Sequence, residues 1–326
     1  MKNIDYVSVV EIDKVVSLLS ENTSAVIMAG GSDIVQQIKD HMTTEPIDLI
    51  IDIKRIPELS SITVDDDCIT IGSNVTVTQL INNQDISARV PLLEQTARSI
   101  AMTQIRNIAT IGGNILQDVR CWYYRYPDSM GQKFMCLRRG GNFCPARQGD
   151  NRYHSIFYDK AAKGCIAVNP SDMLSTLVLL DATFQTNKRN IKAINFYPGK
   201  LGHTEILIKI RIPTDLNNKI LYYEKIRTRG SIDFSIVSLA AKLYFEGRVL
   251  KTARLVFGGV AIRPYENENL NHVIIDMSKG GCQDYLQTRI KKESRTTEMN
   301  EYKVMMMKAL MHNALTKSGC LKELPH

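Results

Sequence analysis

With 326 residues, 44% hydrophobic and 23% charged, the chain is long enough for two or three domains with their own cores, and it reads as soluble and globular. No apolar run reaches bilayer length, and Met1-Lys2-Asn3-Ile4-Asp5 lacks the apolar segment of a signal peptide, which points to the cytoplasm and away from a membrane. Seven cysteines, an odd number without an export signal, argue against a disulfide framework; the net charge of +7 is uneven and gathers in one stretch.

Ser8-Val9-Val10-Glu11 has capping-box spacing, and Ile12, Val15, Val16 and Leu19 follow at helical intervals, so the chain opens on an amphipathic helix. Residues 25–29 form a short apolar strand, Gly30-Gly31 a break, and Ser32 or Asp33 the cap of a helix reaching about Lys39, with another strand at 48–53. Two alternating runs around Asp65-Asp66-Asp67 predict a hairpin over 62–71, and helical patterns follow at 77–81 and 92–101. Residues 104–109 read as a strand running into a second double glycine, Gly112-Gly113. Further on, 165–168 reads as a buried strand, and Ser171 or Asp172 caps an apolar helix over 173–180. Strands at 205–212, 220–226 and 250–257 alternate with helical segments. The last helix, 302–315, carries Val304, Met307, Leu310, Met311 and Ala314 on one stripe, read as core.

Each double glycine follows an apolar strand pattern, as a loop that cradles an anionic group would. No G-x-G-x-x-G and no G-x-x-x-x-G-K-[ST] occurs, which argues against a Rossmann site and a P-loop. Between the second glycine pair and Asp172 lie Cys121, Cys136, Cys144 and Cys165, spaced C-x14-C-x7-C-x20-C, unlike the close pairs of zinc ribbons and ferredoxins. Residues 119–165 hold nine Lys or Arg against three Asp, a local net of +6, and nine of the chain's 22 aromatics. Basic residues would offset an anionic iron–sulfur cluster and aromatics would keep water from it. The same composition describes a single-stranded nucleic-acid surface. From residues alone a cluster, a zinc site and plain thiols stay open, with His154 read as a surface histidine before a substitute ligand. Cys68, Cys282 and Cys320 read as free thiols.

Met28-Ala29-Gly30-Gly31-Ser32-Asp33, Thr110-Ile111-Gly112-Gly113-Asn114, Asn169-Pro170-Ser171-Asp172, Glu205-Ile206-Leu207 and Lys225 fall in an order that resembles the flavin subunit of the xanthine dehydrogenase and carbon monoxide dehydrogenase family of molybdenum hydroxylases. That resemblance implies an α+β fold. It would have a two-subdomain FAD-binding part of the PCMH (vanillyl-alcohol-oxidase-like) type, residues 1–54 and 55–180, and a C-terminal domain of antiparallel sheet with helices, 181–326. It implies that Met28, Ala29, Gly30, Gly31, Ser32, Asp33 and Ile34, with Thr110, Gly112, Gly113 and Asn114, hold FAD from two sides, and that Asp172 and Lys225 also contact the flavin. Arg106 reads as structural. The interval 115–171 is longer than the short connection of most relatives, and here the chain looks like the flavin-and-cluster subunit of 4-hydroxybenzoyl-CoA reductase. Arg120-Cys121-Trp122-Tyr123-Tyr124 and Cys165-Ile166-Ala167-Val168 match the contexts of its first and last cluster ligands, although the stretch from Cys144 to Cys165 is longer than that pattern. The implied role is electron transfer without a catalytic residue on this chain. Its cofactors would be FAD and a 4Fe-4S cluster ligated by Cys121, Cys136, Cys144 and Cys165. Its partners would be a large molybdenum-cofactor subunit, a small subunit with two 2Fe-2S centres, and ferredoxin as carrier. A cluster-free NAD-reducing flavin subunit, a zinc-stapled protein and a nucleic-acid binder are the alternatives.

Overall fold

Apolar patterning sorts the chain into three sheets, each with its own helical cover, in a computed structural model that describes residues 3–197, 201–214, 219–247, 249–278 and 290–319. Cys282 and Cys320 lie outside the described residues. The first unit runs β1 (Asp5–Ser8), α1 (Ile12–Glu21), β2 (Ala25–Met28), α2 (Ile34–Lys39) and β3 (Leu49–Asp52), forming a parallel sheet in the order β1-β3-β2. Val15 and Leu19 of α1 pack on Ile51, as their spacing predicts. The capping box at Ser8 does not form: Ser8 is held in the ladder opposite Asp52, and Glu11 takes the N-cap position with no side-chain bond.

The second unit begins with the hairpin β4 (Ile62–Val64) and β5 (Cys68–Gly72), then the short helices α3 (Val77–Asn82), α4 (Gln84–Arg89), α5 (Pro91–Arg98), α6 (Thr103–Arg106) and α7 (Ile111–Leu116). After the cysteine-bearing segment come α8 (Asp172–Leu179), β6 (Thr183–Thr186), β7 (Asn190–Lys192) and β8 (Leu207–Pro213). These strands make one antiparallel sheet in the order β4-β5-β8-β6-β7, so this sheet draws strands from both sides of residue 180. The strand expected at 104–109 is instead α6 and a turn, closed by bonds such as Arg106 N to Met102 O at 3.0 Å. Residues 165–168 are no strand either. Their neighbours bond to loops, Ser155 N to Ile166 O at 2.8 Å and Asn169 N to Ala261 O at 3.0 Å.

The third unit is the antiparallel sheet β9 (Ile220–Ile226), β10 (Val237–Glu246), β11 (Val249–Gly258) and β12 (Tyr265–Glu266), in the order β12-β11-β10-β9, packed against α9 (Glu268–Ser278) and α10 (Tyr302–Lys317). The α10 stripe of Val304, Met307, Leu310, Met311 and Ala314 is buried as expected. The pattern missed β10 because α8 covers one of its faces and α10 the other, which erases the polar alternation of a half-buried strand. Every residue of α8 is buried; Ser171 Oγ caps it by accepting from Leu174 N at 3.1 Å. Among the described residues no helix is long and apolar enough to cross a membrane.

Lys303, at the start of α10, is fully buried and donates to Gly259 O at 2.7 Å and Tyr153 O at 3.0 Å, with burial pushing its ammonium down to about 7. An unfolded lysine holds its proton to about pH 10.4. Between these values the unfolded chain binds more protons, so stability rises with pH across that window, by at most about 1.4 kcal/mol per unit. Denaturant titrations at stepped pH should show this rise, and Lys303→Met should flatten it.

Candidate functional site

The two double glycines do different work. Gly31 sits at φ +73, a left-handed conformation that glycine tolerates, and a Cβ on Gly30 would lie 1.7 Å from Ile108 O. The first turn therefore rests directly on the backbone that leads into α7. The bond from Val35 N to Gly31 O, at 3.1 Å, opens α2, which leaves the amides of Ser32, Asp33 and Ile34 without intrahelical partners. The second pair lies inside the first turn of α7, and its amides are consumed: Gly112 N donates to Ser73 O at 2.9 Å and Gly113 N to Thr110 Oγ1 at 3.0 Å. One turn offers free donors and the other forms a close-packed wall.

Between them lies a cleft of about 260 Å³. Met28, Ala29, Gly30, Gly31, Ser32, Asp33, Ile34, Thr110, Gly112 and Gly113 line it, and so do Ser73, Asn74 and Gln117, which the sequence reading passed over. Ser73 Oγ and Asn74 Oδ1 are buried and have no partner in the protein, so the cleft floor suits a polar ligand. The available signal was a polar pair directly after the buried strand β5. Asn114 does not line the cleft; its Oδ1 accepts from Ser171 Oγ at 2.7 Å and ties α7 to the cap of α8.

Asp33 borders the cleft, but its carboxylate is already taken. Arg125 Nη1 and Nη2 donate to Oδ1 and Oδ2 at 2.6 and 3.0 Å, and Arg120 Nη2 reaches Oδ1 at 2.9 Å. Burial raises the Asp33 carboxyl, and the Arg125 hydrogen bonds with the Arg120 and Arg125 charges outweigh it, leaving a net depression. Asp172 and Lys225 also stand outside this cleft. They form a buried ion pair at 2.7 Å, with Lys225 donating further to Asp233 O at 3.2 Å.

Cys121, Cys136, Cys144 and Cys165 converge on one small cavity of about 10 Å³. Burial, and then the charges of Cys165 and Cys144, push the Cys121 thiol up to about 11, against the lowering effect of the Tyr124 and Tyr123 amides. Arg138 stands against Cys165. His154, expected at the surface, is instead buried under Trp122 with Nε2 3.2 Å from Cys121 Sγ, and burial followed by the Lys303 charge pushes its imidazole down to about 4, so the ring is neutral. Among the described residues no three His, Cys, Asp or Glu side chains stand close enough to hold a single metal ion. The aromatics of this segment pack edge to face on one another, Trp122 on Tyr153 and His154, and Tyr123 and Tyr126 on Phe134.

A second cavity, about 480 Å³, adjoins the thiols: Cys121 and Ala167 belong to the walls of both. Arg120, Trp122, Asn169 and Phe234 complete much of its lining, and the Arg120 guanidinium lies 4.7 Å from the centre of the Phe234 ring. Arg120 therefore spans from Asp33 at the first cleft to the wall of the second. Asn169 Nδ2 and His154 Nδ1, both buried, lack partners. The Asp172–Lys225 pair sits behind this wall, since Asn169, Pro170 and Asp233 line it.

A family model described as the FAD binding domain in molybdopterin dehydrogenase matches residues 2–215. The aldehyde oxidoreductase FAD-binding subunit PaoB of Escherichia coli K12 is 28% identical over 311 residues, covering 89% of this chain and 90% of that protein. Among solved structures, carbon monoxide dehydrogenase from Oligotropha carboxidovorans aligns with a TM-score of 0.71 at 20% identity, covering 96% of both chains. Quinoline 2-oxidoreductase from Pseudomonas putida 86 aligns with a TM-score of 0.70 at 18% identity, covering 98% of this chain and 99% of its own. At those identities the structural likeness establishes the fold.

Asp33→Asn removes the countercharge of Arg125, whose side chain is 7% exposed. Leaving such a cation unpaired costs about 3 kcal/mol. Denaturant unfolding should show that loss, and trypsin should cut the 119–165 segment faster than in the native protein.

Proposed function

Since the chain belongs to the FAD-binding subunits of the molybdenum hydroxylases, an oxidoreductase family, we propose that it relays electrons between FAD, a 4Fe-4S cluster in the 119–165 segment, and partner subunits. The pyrophosphate of FAD belongs in the first cleft, where the amides of Ser32 to Ile34 and the unpaired Ser73 hydroxyl can donate to its oxygens. Thr110, Gly112 and Gly113 back it, and Asn114 steadies them through Ser171. The 480 Å³ cavity is the candidate for the flavin ring, with Trp122 and Phe234 to cover it and Asn169 Nδ2 to donate to it. Asp172 and Lys225 then act from behind the wall as a fixed buried pair.

The observation that carries the cluster is the convergence of four thiols, without any carboxylate, on a cavity that shares Cys121 with the proposed ring site. A zinc ion would draw four sulfurs to about 2.3 Å from one centre, and a cube of four irons and four sulfides spaces its cysteines more widely. Four thiols with Arg138 beside them are what support the cube. The present free space of about 10 Å³ is smaller than such a cube, so loading requires the thiols to move apart. Bound FAD supplies both two-electron and one-electron exchange, and a cluster supplies one-electron exchange. The protein's part is to orient both, to exclude water through the Trp122, Tyr123 and Tyr124 walls, and to offset thiolate charge with Arg138. Substrate chemistry belongs to a large molybdenum subunit and onward transfer to a small subunit with 2Fe-2S centres, with ferredoxin as the outside carrier. The Cys121 and Cys165 contexts support a subunit like the flavin-and-cluster subunit of 4-hydroxybenzoyl-CoA reductase, from whose pattern the longer stretch before Cys165 departs.

Protein purified without oxygen should carry flavin and on the order of four irons per chain. Cys136→Ser should remove the iron and keep the flavin; flavin without iron in the native protein would favour a cluster-free, NAD-reducing subunit. Gly113→Val places a branched side chain in the cleft beside Thr110 Oγ1, already 3.1 Å from the Cβ position, and should remove FAD. Unchanged flavin content in that variant would refute the cleft assignment.

A further inference from the structure

Three carboxamides line the first cleft, Gln37, Asn74 and Gln117, and none is more than 9% exposed. In each the NH2 end is already spent on the protein. Asn74 Nδ2 donates to Ile53 O at 2.6 Å, Gln117 Nε2 to Asn114 O at 3.0 Å, and Gln37 Nε2 to Asp33 Oδ2 at 3.1 Å. A carbonyl or carboxylate oxygen can only accept, so these partners fix which end of each amide faces them. The carbonyl end is what each has left. Among the described residues no donor reaches the three oxygens, and Asn74 Oδ1 is the strictest case, buried as well as unpaired. The cleft therefore presents two kinds of group. The amides of Ser32 to Ile34 and the Ser73 hydroxyl can donate, whereas the carboxamide oxygens can only accept. An ionised pyrophosphate answers the donors alone, because its oxygens carry no proton. The acceptors call for O–H groups beside the phosphates.

We propose that Asn74 is a specificity-determining residue for the cofactor, its Oδ1 accepting from a sugar hydroxyl that lies next to the pyrophosphate. The proposal rests on the reading that FAD occupies this cleft. Two polyols flank the pyrophosphate of FAD, the ribityl chain and the adenosine ribose, and a secondary hydroxyl of either supplies the donor. Asn74 is preset for it at both ends of the residue. Its backbone N donates to Leu59 O at 2.8 Å while its side-chain amide is locked on Ile53 O, so the acceptor is placed before any ligand arrives. A ligand without the matching hydroxyl would leave that buried oxygen unsatisfied, and a site built in this way discriminates against it. Gln37 and Gln117, turned the same way, add acceptors along the same wall.

The test strips flavin from the full chain and titrates it, by the change in flavin fluorescence, with FAD and with FAD analogues that each lack one hydroxyl of the ribityl chain or of the adenosine ribose. At least one analogue should bind the native chain about tenfold more weakly than FAD, and its missing hydroxyl tells which sugar Asn74 reads. Asn74→Ala should bind FAD weaker by a similar factor, and that analogue within about twofold of FAD. Loss of the bond to Ile53 O cancels in this comparison, because both ligands meet the same variant. Asn74→Ser repeats it if denaturant unfolding shows that the Ala variant does not fold. Native protein that binds FAD and every analogue alike overturns the proposal, and so does a variant that keeps the native preference. Either result leaves FAD bound and the cleft reading standing. A native chain that does not rebind FAD at all sinks that reading and the proposal together.

Discussion

One carboxylate fastens the cysteine segment to the cofactor cleft. Asp33 stands at the start of α2, in the turn with free amides, and both arginines that grip it, Arg120 and Arg125, come from the segment that carries the thiols. Arg125 also donates to Val119 O at 2.6 Å and Asp118 O at 2.8 Å, so four hydrogen bonds fix its guanidinium in one geometry. A buried charge held this way cannot leave without exposing an unpaired partner. The segment is therefore part of the cleft wall, not a loop hung beside it. Arg139 adds a second tie, donating to Met42 O at 2.6 Å in the first unit and Tyr124 O at 2.8 Å in the segment itself. The separation between the cleft and the four thiols follows from these contacts.

How far the sequence could be read follows from where burial is one-sided. The helix α1, the β4–β5 hairpin and α10 each bury one face, so the period of their apolar residues is visible. β10 is covered on both sides, and α6 is a short turn built from backbone bonds, so neither leaves a period to find. The glycine pairs were legible as turns near a ligand, but not their division of labour, because that depends on Ser73 and Ile108, which no motif links to them. Asp33 reads as a flavin contact in the motif, while its occupants come from 92 residues away in the case of Arg125. The convergence of four cysteines had no spacing signal at all. Only the likeness of their immediate neighbours to a known subunit joined them.

The +6 of the cysteine segment looked uniform in sequence and is divided in space. Arg120, Arg125, Arg138 and Arg139 point inward, spent on Asp33, Asp118 and main-chain carbonyls, where they hold the segment and Arg138 stands against the thiols. Arg147, Lys160 and Lys163 are exposed, with Arg147 reaching Gly164 O at 2.9 Å, and exposed Arg152 pairs with Asp150, so these residues carry the outward charge. The same residue types thus do two jobs, and solvent exposure separates them: the inner set acts at low dielectric on the site, the outer set acts through water on whatever approaches.

The unpaired buried atoms say where this protein is chemically incomplete. Native folds satisfy nearly all such groups, because an orphaned donor or acceptor costs about 1–3 kcal/mol. Here Ser73 Oγ and Asn74 Oδ1 belong to residues of the first cleft, Asn169 Nδ2, His154 Nδ1 and Arg120 Nε to residues around the second cavity, and Arg138 Nε to the cage wall. Asp172 Oδ1, Tyr223 OH and Ser238 Oγ sit in the buried set behind that second wall, where burial and then the Asp172 charge hold the Tyr223 hydroxyl protonated. Six of these nine atoms, among the described residues, belong to residues that line or adjoin the first cleft, the second cavity and the thiols, and the other three lie in the packed core behind them. The group in the first cleft is where a bound polar ligand would satisfy what the protein leaves open.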